Sequence, residues 1–284
     1  MDQKIINLYD KYTHGLISRR DFLDRLALIT GSAAAANAML PLLQNNYAQA
    51  AVIDENDKRI KTETFRISPE DKLSGYLAKP VQSGKLPVVI VIHENRGLNP
   101  HIKDVTRRFA IEGFLALGVD FLSPVGGTPD DEDKAREMIA SLDSAGVLDW
   151  CRKTVSIMKQ HPDGNGHVGA VGFCWGGGWV NALAAAEPQL DASVAYYGMQ
   201  APADKVSGIH APLLLHYAGL DERINAGIPA YEEALKKANK TFDLYIYESV
   251  NHAFNNDTNP ARYNKQAADL AWSRTIAFLE KYLA

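Results

Sequence analysis

Cysteine is scarce in this sequence, because only Cys151 and Cys174 occur among its 284 residues. Two cysteines cannot build the disulfide framework of a small secreted domain, and they cannot supply a cysteine-based metal site of the usual spacing. A metal site of this kind is therefore not expected. If a cysteine has a chemical role in this chain, it acts singly.

An excess of basic charge is also lacking. The 30 Lys and Arg residues face 34 Asp and Glu residues, the formal net charge is −4, and the two signs are interspersed along the chain. Nucleic-acid-binding domains usually carry a basic stripe or patch, so nucleic acid is not an expected partner. The remaining composition, 46% hydrophobic and 9% aromatic, is that of an ordinary globular protein.

No long, uninterrupted hydrophobic run is present. The most apolar stretch, residues 26–43, contains Thr, Gly, Ser, Asn and Pro, so no stable membrane span is expected. Ser18-Arg19-Arg20 precedes this stretch, and the small-x-small pattern Ala48-Gln49-Ala50 follows it. This order is typical of a twin-arginine export signal. The sequence therefore predicts that residues 1–50 are read by the twin-arginine export machinery and that residues 51–284 form a periplasmic catalytic domain.

An alternative stays open for the same fifty residues. Phe22, Leu26 and Ile29 fall at helical spacing, which is typical of an amphipathic helix lying on a domain. In addition, Asp24 stands where the twin-arginine consensus commonly has Lys. In this alternative, residues 1–50 are a retained helical extension and the protein is cytoplasmic.

From residue 60 onward, apolar runs of strand length alternate with helical patterns. No repeat, low-complexity tract or Pro/Gly linker divides this part, which predicts one domain. The sequence predicts an α/β fold with a mostly parallel, doubly wound, eight-stranded sheet, helices on both faces and an antiparallel pair at its start. The predicted strands are 62–67, 73–78, 87–93, 114–119, 168–173, 192–197, 212–217 and 242–247, and the predicted helices are 100–112, 132–142, 147–160, 175–186, 228–238 and 263–282.

The segment Gly172-Phe173-Cys174-Trp175-Gly176 follows a predicted strand and opens a predicted helix. This is the pattern of a nucleophile elbow with Cys in place of the usual Ser. The glycines leave room for a strained turn, and the helix N-terminus favours a thiolate. The alternative is a plain buried cysteine on a glycine-rich turn.

An acid and a histidine follow Cys174 in the order that this kind of site requires. Asp221 comes just after the predicted strand 212–217, and His252 comes just after the predicted strand 242–247. Both therefore fall at strand carboxyl ends, on the same sheet edge as Cys174. Taken alone, Asp221 could be a turn former and His252 a solvated loop residue, so the prediction of a triad depends on their joint order.

These motifs together resemble the dienelactone hydrolase family over residues 60–284. The resemblance rests on residues 93–98 (HENRGL), 172–177 (GFCWGG), 220–221 (LD) and 251–254 (NHAF). It implies an α/β-hydrolase that cleaves an ester or lactone without metal or cofactor, with Cys174, Asp221 and His252 as its catalytic triad.

The same resemblance implies roles for two loops beside Cys174. A glutamate at the position of Glu94 contacts the thiol and keeps it poised, and the backbone N–H groups of Trp175 and Asn95 form an oxyanion hole. A carboxylate just after the central strand 87–92 could also orient the thiol on general grounds. The alternative for Glu94 is a pairing with Arg96 in a surface loop.

The substrate pocket departs from the family pattern. Family members hold the carboxylate of their substrate with two arginines, but residues 121–124 and 254–257, which match those regions, contain none. The dienelactone itself is therefore a doubtful substrate. Arginines near the motifs could supply a replacement cation, and aromatic residues could line an apolar pocket or belong to the core. The candidate substrate-binding residues are Arg96, Phe121, Trp179, Tyr197, Arg223 and Phe254.

Two other functions remain open from the sequence. A thioesterase or broad acyl esterase would use the same triad and differ only in its acyl pocket. A non-catalytic protein on the same fold would use Cys174 for redox sensing or binding. In every enzymatic interpretation, the partner is a small-molecule ester, lactone or thioester.

Overall fold

The computed structural model of the chain describes residues 1–47, 51–82 and 84–284. Apolar residues place the central strands in the interior, since Val88 to Ile92 are all buried. The strands are β1 Ile60–Ser68, β2 Leu73–Pro80, β3 Leu86–Ile92, β4 Leu115–Asp120, β5 Gly164–Phe173, β6 Ala192–Tyr196, β7 Leu213–Ala218 and β8 Phe242–Tyr247.

The eight described strands form one sheet in the order β1-β2-β4-β3-β5-β6-β7-β8. The pairs β1·β2 and β2·β4 are antiparallel, and every later pair in that order is parallel. The carboxyl ends of β3 to β8 consequently meet at one edge of the sheet. The predicted mostly parallel, eight-stranded α/β sheet with an antiparallel start is confirmed.

Helices cover both faces of this sheet. Along β3, Val88, Ile90 and Ile92 belong to the apolar cluster on one face of the sheet, whereas Val89 and Val91 belong to the cluster on the other face. This division follows from the alternation of side chains along a strand. The helices are α1 Gln3–Thr13, α2 Arg19–Thr30, α3 Ala33–Leu43, α4 Pro100–Ile111, α5 Glu132–Ala140, α6 Ser144–Lys159, α7 Trp175–Ala186, α8 Glu222–Asn225, α9 Ile228–Lys237 and α10 Lys265–Leu283.

The helices α1 to α3 form a small N-terminal unit with an apolar core of its own. Ser18 caps α2 through a reciprocal pair of bonds with Asp21, and Phe22 and Leu26 are fully buried, whereas Ile29 is exposed. The core consists of Ile5, Leu8, Tyr9, Phe22, Leu26, Ala36 and Leu43. The helical periodicity seen in residues 22–29 thus corresponds to a helix with one buried face.

Polar contacts attach this unit to the loops and helices that surround the sheet. Asn95 Nδ2 donates a hydrogen bond to the Thr13 carbonyl oxygen at 2.7 Å, and Tyr12 Oη donates one to Asp133 at 2.6 Å. Further along, Asn259 donates to the Leu43 carbonyl oxygen at 2.6 Å. The first 47 residues therefore lie against the sheet edge that carries the strand carboxyl ends.

Within the described residues, no single helix has both the length and the apolar character to cross a membrane. The consecutive helices α2 and α3 reach that length and hydropathy only as a pair, and the helix axis bends by 111° between them. The small-x-small pattern of the predicted export signal, Ala48-Gln49-Ala50, lies outside the described residues.

Candidate active site

Cys174 occupies a sharp turn between β5 and α7. Its φ of 55° and ψ of −112° are strained values for a residue with a side chain. The turn is possible because Gly172 and Gly176 lack side chains: a Cβ on Gly172 would overlap the backbone oxygen of Gly176, and a Cβ on Gly176 would overlap that of Ile92. The thiol therefore lies at the N-terminus of α7, where helix N–H groups favour an anion.

Asp221 and His252 are brought together by the ends of β7 and β8. His252 Nδ1 lies 2.5 Å from Asp221 Oδ2, and both side chains are buried. Asp221 Oδ1 accepts a hydrogen bond from the backbone N–H of Ile224 at 3.2 Å, which fixes the carboxylate at the N-cap of α8. This arrangement orients the imidazole so that Nε2 is its free nitrogen.

The charges of Cys174, His252 and Asp221 favour the ionised forms of one another. Burial would raise the pKa of the Cys174 thiol, but the neighbouring His252 and His14 lower it to about 5. Burial would lower the pKa of His252, but the charges of Asp221 and Cys174 raise it to about 10. A thiolate beside an imidazolium is therefore the favoured state of the pair at neutral pH.

His14, in the N-terminal unit, contacts the thiol directly. Its Nε2 lies 3.4 Å from Cys174 Sγ, and its ring packs edge-on against the ring of His252 with the centroids 4.7 Å apart. Sequence reasoning assigned His14 to the export signal and missed it. The available signal was weak, namely Asp10 and His14 four positions apart on an amphipathic helix.

Glu94 is buried at 2% exposure beneath this group, but it makes no hydrogen bond to the thiol. Its Oε2 accepts a bond from Asn256 Nδ2 at 2.9 Å and lies 3.9 Å from Arg96 Nη1. Burial would raise the pKa of Glu94, but the charges of Arg96 and His101 lower it. No hydrogen bond joins Glu94 to Cys174 among the described residues, and the pairing with Arg96, which was the alternative for Glu94, lies in the interior and not in a surface loop.

A cavity of about 690 Å³ opens above Cys174. The turns and loops after β3, β5 and β8 contribute Asn95, Cys174 and His252 to its walls, and the N-terminal unit contributes His14 and neighbouring residues. Of the predicted substrate-binding residues, Trp179, Tyr197 and Arg223 also line it, as does Trp175 of the predicted oxyanion hole. The structure thus collects at one cavity Cys174, His252 and three of the six predicted substrate-binding residues.

Three predicted substrate-binding residues lie elsewhere, which corrects the sequence-based placement. Arg96 is buried with its Nε 2.9 Å from Glu132, so its charge is already compensated. Phe121 is fully buried against His93 and Trp175, and Phe254 packs in an aromatic cluster with Tyr196, Tyr197 and Tyr247. All three side chains are buried in contacts with other protein groups and are absent from the cavity wall.

His14, Cys174 and His252 also have the composition of a metal-binding set. Their ligand atoms all lie within 4.8 Å of one another. A thiolate and two imidazoles are ligands that Zn²⁺ accepts. The same three atoms are those that a thiol nucleophile and its proton acceptors would need, so a metal here would compete with hydrolysis.

Comparison with known proteins identifies the family. The model of the dienelactone hydrolase family matches residues 73–283. The chain belongs to this family. It is a hydrolase of that family, and the resemblance seen in the sequence motifs is confirmed. A second family model, described as YqhI-like, matches residues 1–33, which lie in the N-terminal unit.

Relatives in this family are about a third identical to the chain over the aligned residues. A protein of Escherichia coli O157:H7 named "Putative carboxymethylenebutenolidase" is 33% identical over 230 residues, which cover 76% of this chain and 84% of the relative. A Bradyrhizobium protein named "Probable 2-oxo-3-(5-oxofuran-2-ylidene)propanoate lactonase" is 34% identical over 223 residues, with 73% and 89% covered.

The fold agrees with solved structures of the same family. A structure described as a "Putative Dienelactone Hydrolase" from Klebsiella pneumoniae subsp. pneumoniae MGH 78578 superposes with a TM-score of 0.71 at 31% identity, covering 78% of this chain and 99% of that one. A dienelactone hydrolase from Anabaena variabilis ATCC 29413, 22% identical, has a TM-score of 0.61 and covers 80% of this chain and all of that one. At that identity, the second likeness speaks for the fold alone.

Proposed function

We propose that this protein cleaves an ester or lactone with the thiolate of Cys174 as nucleophile, His252 as proton acceptor and donor, and Asp221 as the group that orients His252. The observation that carries the proposal is the hydrogen bond between His252 Nδ1 and Asp221, made at the cavity where Cys174 is exposed to a substrate. This is the arrangement of a nucleophile, a base and an orienting acid.

The reaction then has two stages. The Cys174 thiolate attacks the carbonyl carbon and forms a thioester, and the C–O bond breaks with its electron pair on oxygen. The leaving oxygen takes a proton from an imidazolium beside the sulfur, which leaves His252 neutral for the next stage. Water, deprotonated by His252, cleaves the thioester and restores the thiolate. Asp221 holds the imidazole in the tautomer that leaves Nε2 free for this proton transfer and stabilises its charged form.

Charge that develops on the carbonyl oxygen requires hydrogen-bond donors. The backbone N–H groups of Trp175 and Asn95 are proposed for this role, since both residues line the cavity next to Cys174. Glu94 is proposed to act on the site indirectly, without a hydrogen bond to the thiol. Its charge faces the loop of Asn256, four residues after His252, and so contributes to the position of that loop.

Arg223 favours a substrate that carries a carboxylate. It lines the cavity, and its Nε and Nη2 atoms are buried with no hydrogen-bond partner among the described residues. The other two arginines of the cavity, Arg19 and Arg136, are both paired with Asp133. A guanidinium with two N–H groups free of protein hydrogen bonds is well suited to bind an anionic group of a ligand.

A thioesterase or broad acyl esterase is the second candidate function. The cavity favours it through its apolar lining, which includes Trp175, Trp179 and Ile139. Turnover of a cyclic lactone, an aryl ester and an acyl thioester, each with and without a carboxylate, separates these candidates. A lactonase turns over the carboxylated lactone best, whereas an acyl thioesterase prefers the thioester without it.

The test of the proposed function is the Cys174→Ala variant, measured on the same substrates. We expect hydrolysis to fall by several orders of magnitude, because the members of such a triad act as a unit. Cys151→Ala is the matched control, since Cys151 is buried on α6 away from the cavity. Full activity in Cys174→Ala would contradict the proposal and favour a redox or binding role for this cysteine.

Export through the twin-arginine route stays a prediction of the sequence, with a retained helical extension as its alternative. The packing of α1 to α3 and the contact of His14 with Cys174 support retention. Mass spectrometry of the protein from an exporting host decides between the two. A chain that begins near Ala51 supports a cleaved export signal, and a chain that keeps Met1 or its neighbours supports the extension.

A further inference from the structure

Two imidazoles, not one, face the sulfur of Cys174. His252 has its role in the proposed triad, whereas His14 comes from outside the sheet and has none. Its Nε2 is 3.4 Å from Sγ, which is within hydrogen-bond range for a sulfur acceptor. A second imidazole at the nucleophile can hold or deliver a proton there, which a packing residue could not do.

An acid orients His14 as Asp221 orients His252. The Nδ1 atom of His14 lies 2.8 Å from the carbonyl oxygen of Asp10 and 3.3 Å from its carboxylate. The Asp10 carboxylate is in turn 3.5 Å from Arg262 Nη1. These contacts use Nδ1 and leave Nε2 to the sulfur, so His14 and Asp10 form a second oriented imidazole beside the thiol, packed edge-on against His252.

The N-terminal unit forms a wall of the cavity and does not fill it. Tyr12, Thr13, Gly15, Ile17 and Arg19 line the same cavity as Cys174 and His252. With the unit in place, space of about 690 Å³ remains for a substrate. A segment that blocked the nucleophile would remove this space, so the geometry favours a part in catalysis over inhibition.

We propose that His14 is a further catalytic residue of this hydrolase, the general acid that protonates the leaving oxygen, so that His252 serves the attack of water. The proposal rests on the proposed function, because it requires Cys174 as nucleophile. It also makes the N-terminal unit part of the active site.

The groups around His14 favour its protonated form. Burial would lower the pKa of His14, but the charge of Cys174 and the hydrogen bond to Asp10 raise it. His252 opposes this by its own positive charge, and Arg262 acts through Asp10. His14 thus donates its Nε2 proton to the thiolate until a substrate arrives.

The proton and electron balance is as follows. The thiolate forms a C–S bond with the carbonyl carbon, and the C–O bond to the leaving group then breaks with its electron pair on oxygen. That oxygen takes the Nε2 proton of His14, which has lost its acceptor because the sulfur is now a neutral thioester. His252, no longer next to a thiolate, gives its proton to bulk water.

Deacylation restores the starting state. Water attacks the thioester and gives a proton to His252, the C–S bond breaks, and its electron pair returns to sulfur as the thiolate. The carboxylic acid product leaves, and His14 regains a proton from bulk water. The sum is one ester and one water converted to one acid and one alcohol, with no oxidant, reductant or metal consumed.

The His14→Gln variant of the full chain tests this on two acetate esters. Ethyl acetate has a leaving oxygen that needs a proton, whereas p-nitrophenyl acetate has one that departs as a stable anion. We expect kcat/KM for ethyl acetate to fall by about 10²–10⁴-fold, the usual contribution of a general acid, and kcat/KM for the aryl ester to stay nearly unchanged. An equal loss on both esters, or a loss on neither, would overturn the proposal.

The aryl ester also reports folding in the same sample, because its turnover requires an intact Cys174 and His252. If His14→Gln does not fold, Asp10→Asn takes its place, and we expect the same selective loss of the alkyl ester at smaller size. A loss shared by both esters in a folded Asp10→Asn protein would contradict the proposal. His210→Gln, at an exposed histidine far along the chain, is the matched control and should leave both rates unchanged.

Failure of this inference can be told apart from failure of the proposed function. If Cys174→Ala is inactive while His14→Gln hydrolyses both esters like the unaltered protein, only the role of His14 is wrong. If Cys174→Ala remains active, the thiol mechanism itself is wrong. Assays in the presence of a chelator keep Zn²⁺ from the three possible ligands at the thiol.

Discussion

The imidazole of His14 and the thiol of Cys174 are 160 positions apart in the chain and 3.4 Å apart in space. The contact joins the N-terminal helical unit to the carboxyl end of β5, where Cys174 occupies its strained turn. It places two oriented imidazoles beside the sulfur, one held by Asp10 and the other by Asp221. The proposed chemistry at the sheet edge therefore involves a segment that the family match at residues 73–283 does not include.

Replacing Asp221 by Asn tests the orientation of His252. The amide keeps an oxygen for the Ile224 backbone N–H but removes the charge that supports the imidazolium. We expect kcat to fall by about 10³–10⁴-fold, as when the acid of a serine triad becomes an amide, with the unfolding midpoint little changed. Steady-state kinetics and thermal unfolding of the same preparation measure the two effects. Unaltered kcat would show that His252 does not depend on this carboxylate.

The rate at which iodoacetamide alkylates Cys174 should follow the ionisation of its thiol in the acidic pH range. Its pKa of about 5 means that the thiol is protonated below that pH and a reactive thiolate above it. The alkylation rate should therefore rise with pH through about 5 and then level off. Cys151, whose pKa is raised by burial, should stay unmodified in the folded protein. Peptide mapping separates the two sites, and a rate at Cys174 that rises only near pH 9 would contradict the account.

The nucleophile elbow should be intolerant of added volume at Gly172. A Cβ there overlaps backbone atoms of Gly176, which cannot move away without displacing the first turn of α7. We expect Gly172→Ala to lower the free energy of unfolding by more than about 3 kcal/mol. Gly84→Ala is the matched control, because nothing lies within 4 Å of its added Cβ, and it should change stability by at most about 1 kcal/mol. Urea unfolding of both variants measures the difference, and similar stabilities would refute this explanation of the turn.

Arg223 should act on binding of anionic substrates only. Replacing it by Gln removes the charge but keeps a side chain of similar reach at the cavity wall. We expect KM for an ester that carries a carboxylate to rise by about tenfold to a hundredfold, since hydrogen bonds to charged groups contribute about 1.5–3 kcal/mol. The KM for the matching neutral methyl ester should not change. An equal effect on both substrates would mean that Arg223 shapes the cavity without recognising charge.

Much of the fold follows from local patterns in the sequence. The apolar run at 87–93 corresponds to β3 Leu86–Ile92, and the periodic stretch at 175–186 coincides with α7. Strand β5 begins at Gly164, four residues before the predicted start at 168, because Gly164 pairs with Leu86 although residues 164–167 lack apolar character. Pairing between strands depends on neighbours in space, which a local pattern does not contain.

The candidate site could be predicted where chain order and strand ends determine it. Cys174, Asp221 and His252 each follow a parallel strand, so the topology brings them to one edge. His14 could not be found in this way, because its position depends on how a separate helical unit packs against that edge. Phe121, Phe254 and Arg96 were misplaced for a related reason: a residue in a loop after a strand can face the cavity or the core, and only tertiary packing decides.

The measurement that tests the central claim most directly is the mass of a trapped acyl-enzyme. His252→Gln removes the group that activates water. An aryl ester should therefore acylate the protein faster than water hydrolyses the resulting acyl-enzyme. After acid quenching, we expect one acyl group per chain, located by peptide mapping on Cys174. An acyl group on another residue, or product formation with no adduct at Cys174, would contradict the account.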